Sequence, residues 1–306
     1  MLKPTVEEMV QALGLKVLAD NSGLKQRLTS SDVHRPALEV AGFMDHYPAY
    51  RIQVIGQTEH EFFDTLAEKT QVDRAEDLIS DQTPAILFSR DLVPQVAIAT
   101  QAARAGVPIL GSHLPTTRLI SRLGRWLDNA LAPRTTIHGV FVELYGVGVL
   151  ITGDSGIGKS ETALALINRG HRLVADDAVE IRRPSADVLV GRAPTVTANL
   201  MELRGVGIID VSDLFGAAAI RPDKRVELSV HFQRWQEGAA YDRLGFEDHF
   251  INILEVKVPR LIIPVAPGRD LAMIIETAAM NYRAKAMGYN SREKLMTRLD
   301  AAMKKD

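Results

Sequence analysis

GVGVLITGDSGIGKSETALALINRG, residues 146–170, sets an apolar β-like run directly against a glycine-rich turn and a helix-like run. Inside it lies G-x-x-x-x-G-K-S, formed by Gly153, Asp154, Ser155, Gly156, Ile157, Gly158, Lys159 and Ser160. Strand, turn and helix in that order are the context a phosphate-binding P-loop requires. Glycines let the backbone curl so that successive N–H groups converge on phosphate oxygens. Lys159 is placed to reach the β- and γ-phosphates as a point charge, and the Ser160 hydroxyl to ligate Mg²⁺. A helix opening at Lys159 adds its positive dipole end. The bland alternative is an ordinary turn between a strand and a helix. Even a genuine P-loop leaves the activity open, because kinases, ATPases, GTPases and switches all use one.

The 306 residues suffice for two domains with real cores. Charged residues at 24%, hydrophobic residues at 46% and a net charge of −2 describe a soluble globular chain, with nothing favouring nucleic acid or a membrane surface. The absence of cysteine excludes disulfides, thiolate metal sites and cysteine nucleophiles. The opening MLKPTVEEMVQALG carries acids early and lacks a long apolar core, unlike a signal peptide. The apolar stretch from Val140 to Ile151 is interrupted by Glu143 and too short to span a bilayer. A cytoplasmic protein is expected.

The fold class reads as α/β, with domains at 1–130 and 131–306. In the first, RIQVIG (51–56), AILFSRD (85–91) and VPILGS (107–112) read as buried strands. HEFFDTLAEK (60–69) and VPQVAIATQAARAG (93–106) read as helices between them, a rhythm that argues for a mostly parallel sheet. No glycine fingerprint follows these strands, and Ser112, His113 and Thr116 read as a solvated loop. The helix-like TTRLISRLGRWLDNAL (116–131), followed by Pro133, reads as the connector between domains. In the second, residues 135–153 read as a two-stranded hairpin turning at Tyr145 and Gly146 into the P-loop. Strands are expected at 172–175, 226–232 and 253–258, a helix at 270–288, and a loosely held helix at the end.

Past the P-loop helix, HRLVADDAVEI ends an apolar run in Asp176 and Asp177, on a strand expected beside the P-loop strand. A metal-side acid belongs there, with its neighbour free to accept a hydroxyl proton; a solvated turn is the alternative. In MELRGVGIIDV (201–211), Glu202 could supply a metal carboxylate and Arg204 a phosphate or substrate contact. The alternative is a strand with an exposed salt bridge. His138 also reads as a sheet histidine, Arg243 as a surface arginine, and PVAPGR (264–269) as a turn before the last helix.

Together these motifs resemble the HPr kinase/phosphorylase family of bacterial protein-serine kinases. The residues that carry the resemblance are HGVFVELYGVGVLITGDSGIGKSETALALINRGHRLVADDAVEIR, MELRGVGIIDV and PVAPGRDLAMIIETAAMNYRAKAMG. It implies an N-terminal Mur-ligase-like α/β domain and a P-loop kinase domain resembling phosphoenolpyruvate carboxykinase. It implies that ATP, or pyrophosphate, phosphorylates a regulatory serine of the sugar-transport phosphocarrier HPr. Inorganic phosphate reverses this by phosphorolysis, giving pyrophosphate, so the enzyme regulates carbohydrate metabolism. A homohexamer and an Mg²⁺ held by Ser160 and Glu202 are also implied. The catalytic set becomes His138, Lys159, Asp176, Asp177 and Arg243, with either aspartate as the acid/base. Met201, Glu202, Leu203, Arg204, Gly205, Val206, Gly207, Ile208, Ile209 and Asp210 resemble a region needed in both directions. Pro264, Val265, Ala266, Pro267, Gly268 and Arg269 resemble one needed mainly for dephosphorylation. A small-molecule kinase and a non-catalytic ATP-dependent switch are the rival readings. Intact Asp176, Asp177, Glu202 and Arg243 argue against the switch.

Overall fold

The computed structural model describes residues 3–19, 22–237 and 249–303. The chain divides into two units, Met1–Ala132 and Pro133–Asp306.

The first unit is a five-stranded sheet with helices on both faces. Its strands are β1 (Lys16–Ala19), β2 (Val33–His34), β3 (Ile52–Ile55), β4 (Ile86–Phe88) and β5 (Ile109–Gly111), ordered β1-β5-β4-β3-β2. All neighbours are parallel except β1, which runs antiparallel along β5. Helices are α1 (Val6–Leu13), α2 (Ala37–Ala41), α3 (Gln57–Asp64), α4 (Glu68–Leu78), α5 (Val96–Ala105) and α6 (Thr116–Leu131). Alternation along the strands divides the core: Val54, Leu87 and Leu110 pack toward α1 and α6, while Ile55, Phe88 and Ile109 pack toward α3, α4 and α5.

Two expectations change here. The helix expected over 60–69 is the end of α3 and the start of α4, broken at residues 65–67. The helix-like stretch 116–131 is α6, and Leu119, Leu123 and Leu127 put one apolar stripe of it wholly into the core of the first unit. Ser112 and Thr116 are buried rather than solvated, with the Thr116 hydroxyl 2.8 Å from that of buried Ser89; His113 is exposed. The paired hydroxyls satisfy each other.

The second unit holds two larger sheets and a hairpin. Its strands begin β6 (Arg134–His138), β7 (Val140–Leu144), β8 (Val147–Gly153), β9 (Arg172–Ala175), β10 (Ala178–Ser185) and β11 (Val188–Arg192). They continue β12 (Leu200–Leu203), β13 (Gly207–Asp210), β14 (Asp223–Arg225), β15 (Leu228–Arg234), β16 (His249–Ile253) and β17 (Val256–Val265). Helices are α7 (Lys159–Asn168), α8 (Val211–Phe215), α9 (Leu271–Ala286) and α10 (Ser291–Met303). The central sheet is ordered β16-β17-β15-β8-β7-β9, the second β14-β11-β10-β6, and β12 pairs with β13. Since β7 is antiparallel to both β8 and β9, the strands β9, β8, β15 and β17 all point the same way. Ala163, Leu166 and Ile167 of α7, with Ala272, Ile275 and Ala279 of α9, cover one face of that sheet.

Three further differences follow. β9 lies not beside the P-loop strand but two places away, with β7 between. Residues 135–153 are three strands: β6 leaves at Gly139 for the second sheet, and only β7 and β8 form the hairpin at Tyr145 and Gly146. Residues 253–258 are not one strand: Ile253 ends β16, Leu254 and Glu255 turn the chain at φ 47° and 67°, and Val256–Val258 begin β17. Two successive left-handed residues make the turn whose twist suits a two-residue hairpin.

Candidate active site

Four co-directional strand ends deliver the chemistry to one edge of the central sheet. β8 ends in the phosphate loop, β9 in Asp176 and Asp177, β15 in Arg234 and β17 in residues 264–269. Ligands collect at the carboxyl ends of such strands because helix N-termini and loop amides point there. The lining of one cleft includes His138, Gly156, Lys159, Ser160, Asp176, Asp177, Glu202 and Arg204.

Lys159 is only 7% exposed. Its Nζ donates to the carbonyls of Gly153, at 2.8 Å, and Asp154, at 2.9 Å. Two carbonyl partners offset part of the cost of burying a cation and hold it within its own loop. The Ser160 hydroxyl, one residue into α7, donates to Asp176 Oδ1 at 2.9 Å. Asp176 Oδ2 accepts the Glu202 backbone N–H at 3.1 Å, tying the β12–β13 hairpin to the end of β9. Asp176 is 3% exposed, and burial raises its pKa; hydrogen bonds from Glu202, Ser160 and the Asp177 backbone oppose this, and the Asp177 charge adds to it.

Asp177 differs in every respect. It sits at φ 65°, a left-handed conformation that aspartate tolerates better than most residues, and its side chain is exposed. Its Oδ1 lies 3.1 Å from His138 Nδ1. The second sheet arranges that meeting: β6 pairs with β10 in a register that sets His138 opposite Ala178. An exposed pair of this kind contributes little stability, so its effect is on placement.

Arg204 lies across the loop, donating from Nη2 to Ser155 Oγ at 3.3 Å. Glu202 is exposed and lines the same cleft. Asp154 and Ser155 are exposed at the loop crest, and Ile157 is buried beneath it. On the hairpin, Met201 and Leu203 point into the core, while Gly205, Val206, Gly207 and Ile208 are exposed; Ile209 and Asp210 are half-buried. Asp210 serves as the N-cap of α8.

Residues 264–269 stand outside the cleft lining, two strands from the phosphate loop. Pro264 and Val265 end β17, and Ala266, Pro267 and Gly268 make the turn. Arg269 closes it, donating to the Pro264 carbonyl at 2.7 Å. Arg243 lies outside the described residues. Sequence reasoning missed Arg234, 4.0 Å from Asp154, because only the β8–β15 register brings the two strand ends together.

The donors fit a hard divalent cation. Mg²⁺ takes one or two carboxylates alongside waters and substrate phosphates rather than an all-protein cage. Ser160, Asp176 and Glu202 supply that set, and among the described residues no cluster of three or more His, Asp or Glu side chains forms a cage. A cation beside Asp176 would also oppose the rise that burial gives its pKa, by favouring the charged carboxylate.

Comparison with known proteins gives the lineage. Residues 5–127 match the HPr Serine kinase N terminus and residues 129–299 the HPr Serine kinase C-terminal domain. An HPr kinase/phosphorylase of Bacillus subtilis is 48% identical over 300 residues, covering 98% of this chain and 96% of that one. One from Halalkalibacterium halodurans is 47% identical, covering 98% and 97%. A solved structure of the Hpr(Ser) kinase/phosphatase from Coxiella burnetii is 38% identical, covers 53% of this chain and 98% of that chain, and has a TM-score of 0.48. With both parts matched in order and near-complete coverage of relatives almost half identical, this chain belongs to the HPr kinase/phosphorylase family.

Proposed function

We propose that this chain uses ATP, or pyrophosphate, to phosphorylate a serine of HPr, and removes the phosphoryl group by phosphorolysis. The observation that carries the reading is the convergence of Lys159, Ser160, Asp176, Asp177, His138, Glu202 and Arg204 on one cleft. In the forward direction the serine oxygen attacks the γ-phosphorus, its proton passes to a carboxylate, and the bond to the ADP oxygen breaks. Asp177 suits that proton transfer: it is exposed, oriented by His138, and not committed to the loop as Asp176 is. In phosphorolysis a phosphate oxygen attacks the phosphoserine phosphorus and the bond to the serine oxygen breaks. The same carboxyl returns a proton to that oxygen, and pyrophosphate leaves.

Ser160, Asp176 and Glu202 would hold Mg²⁺, which neutralises charge on the transferring phosphoryl group. Lys159 and Arg204, with Arg243, supply the remaining positive charge. The loop accepts free phosphate where it accepts the β-phosphate of ATP, so the anion in the loop selects the direction. The finer fold likeness, a Mur-ligase-like first unit and a phosphoenolpyruvate-carboxykinase-like second, is supported by the mostly parallel first sheet and the P-loop on β8. We extend the reading to a cytoplasmic homohexamer. No helix among the described residues is long and apolar enough to cross a membrane, and Phe250, Leu261 and Ile262 are exposed on β16 and β17 where subunits could meet.

Mass spectrometry of HPr incubated with the chain, Mg²⁺ and ATP tests this, followed by excess phosphate with pyrophosphate assayed. One phosphoryl mass on serine, erased as pyrophosphate appears, is expected. HPr left unmodified while ATP is bound would overturn the reading in favour of a metabolite kinase or a switch.

A further inference from the structure

The β12–β13 hairpin is packed on one face and bare on the other. In an antiparallel pair, residues directly opposite each other share a face. Met201 pairs with Ile209, and these two with Leu203 pack on the core of the second unit. Glu202 pairs with Ile208, and both stand on the exposed face. Ile208 is 72% exposed although its cross-strand neighbour lines the phosphate cleft. Val206, in the turn between the strands, is 73% exposed. Its N–H donates to the Leu203 carbonyl at 3.1 Å, closing a turn in which Gly205 takes φ 85°. Such a turn needs a left-handed residue there, which glycine supplies without strain.

The hairpin is also fastened to the cleft itself. The Glu202 N–H donates to Asp176 Oδ2 at 3.1 Å, and Arg204 Nη2 to Ser155 Oγ at 3.3 Å. Gly156 backs onto Arg204 so closely that a Cβ there would stand 2.5 Å from Nη1. Ile208 and Val206 are therefore presented by an anchored wall. Single exposed apolar side chains are ordinary; two on one anchored hairpin, one of them opposite a cleft residue, are placed for a partner. The chemistry of the ligands decides which partner. Phosphate, pyrophosphate and the triphosphate chain are hydrated anions that gain nothing from an isoleucine. A serine entering the cleft brings with it the protein surface around it, and that surface has to pass the wall that Glu202 and Arg204 form.

We propose that Ile208, with Val206, is the apolar contact on which the protein acceptor docks, so that the hairpin selects HPr by the surface around its serine. This rests on the function proposed above. The matching surface of HPr is then an apolar patch beside the phosphorylated serine, and burying it against Ile208 supplies binding energy that the phosphate chemistry does not. An anchored wall loses little freedom when the partner arrives, so more of that energy appears as affinity. The acceptor presents the same patch whether or not its serine is phosphorylated. Docking therefore serves phosphorylation and phosphorolysis alike.

The test varies HPr at saturating ATP for the parent chain, Ile208→Thr, Val206→Thr and Ile208→Val. Threonine keeps the branched Cβ that suits a strand while making the surface polar. Val206→Thr, in the turn, carries the test should Ile208→Thr fold poorly. For Ile208→Thr the KM for HPr should rise about 10- to 100-fold, the worth of burying one such side chain, and kcat should fall by less than KM rises. Ile208→Val, one methylene shorter, should raise KM only about fourfold. Phosphorolysis of phosphoserine-HPr should show the same rise in KM. Calorimetry should give the parent's affinity for ATP, and light scattering the parent's mass. A loss confined to kcat, or no change in KM, would overturn the proposal. Weakened ATP binding would overturn it in favour of a platform for the base, and an altered mass in favour of a contact with a second copy of this chain. A parent chain that phosphorylates no HPr would instead remove the function on which it rests, and this proposal with it.

Discussion

Replacing Gly153 by alanine separates two physical demands that the phosphate loop makes on its first residue. Gly153 sits at φ 145°, where L side chains are strained, and a Cβ there would stand 2.7 Å from the Phe232 carbonyl oxygen and 3.0 Å from Phe232 Cβ. Phe232 is buried on β15, paired directly with Gly153, so relief requires parting two central strands. Backbone strain of this type costs about 1–3 kcal/mol, and forcing an atom into a packed site costs about 1–3 kcal/mol more. Gly158 is the control: at φ 101° it shares the strain, but a Cβ there meets nothing within 4 Å. We take about 3 kcal/mol for Gly153→Ala and about 1 kcal/mol for Gly158→Ala from these ranges. At roughly 2–4 °C per kcal/mol for a unit of this size, Tm falls by about 6–12 °C and about 2–4 °C respectively. Thermal unfolding of the two full-length variants, followed by circular dichroism, measures the gap. Equal Tm values would refute the close-approach argument and leave strain as the whole effect.

Further outcomes follow from the same geometry. Asp177→Asn should lower ATP-driven transfer about 10²- to 10⁴-fold, the usual worth of a positioned acid/base, with nucleotide affinity by calorimetry little changed; undiminished turnover would move the proton transfer to Asp176. Stripping divalent cations with EDTA should abolish phosphorylation of HPr, and added Mg²⁺ should restore it, read by the phosphoserine mass. The ion pair of Arg169 with Glu276, at the end of α7, should weaken in acid. For Glu276, burial raises the pKa, but hydrogen bonds from His171 and Arg169 and their charges outweigh it and leave the carboxyl below its ordinary 4.5. A depressed carboxyl contributes its full stability above 4.5 and loses it as pH falls through the lower folded value. Tm recorded against pH should show that acid limb flattened in Glu276→Gln.

The P-loop was legible because its signal is local: glycines at fixed spacing, an apolar run before and a helical run after. The apolar runs of the first sheet were legible for the same reason, being buried on both faces. What the sequence hid is set by register and conformation. No spacing tells that β6 abandons the P-loop sheet at Gly139 to bring His138 within 3.1 Å of Asp177. Leu254 and Glu255 turn a hairpin without the glycine or asparagine that marks one, so residues 253–258 read as a continuous strand. The break between α3 and α4 falls at Thr65, Leu66 and Ala67, none of which is a helix breaker. The buried Ser89–Thr116 pair carried hydroxyls that look like loop chemistry until both are enclosed.

The strand order of the central sheet has a consequence for biosynthesis. β8 acquires its first neighbour, β7, at once, because only a tight turn separates them. Its other neighbour, β15, ends about 80 residues further on, a delay of roughly 4–16 s at ribosomal speed. Until then VGVLITG is an apolar edge with open backbone groups, the kind of segment that templates aggregation. The nascent chain thus carries its most recognisable motif on its most vulnerable edge, and truncation before residue 228 leaves that edge uncovered. Chaperone capture of stalled chains should concentrate between the synthesis of β8 and of β15.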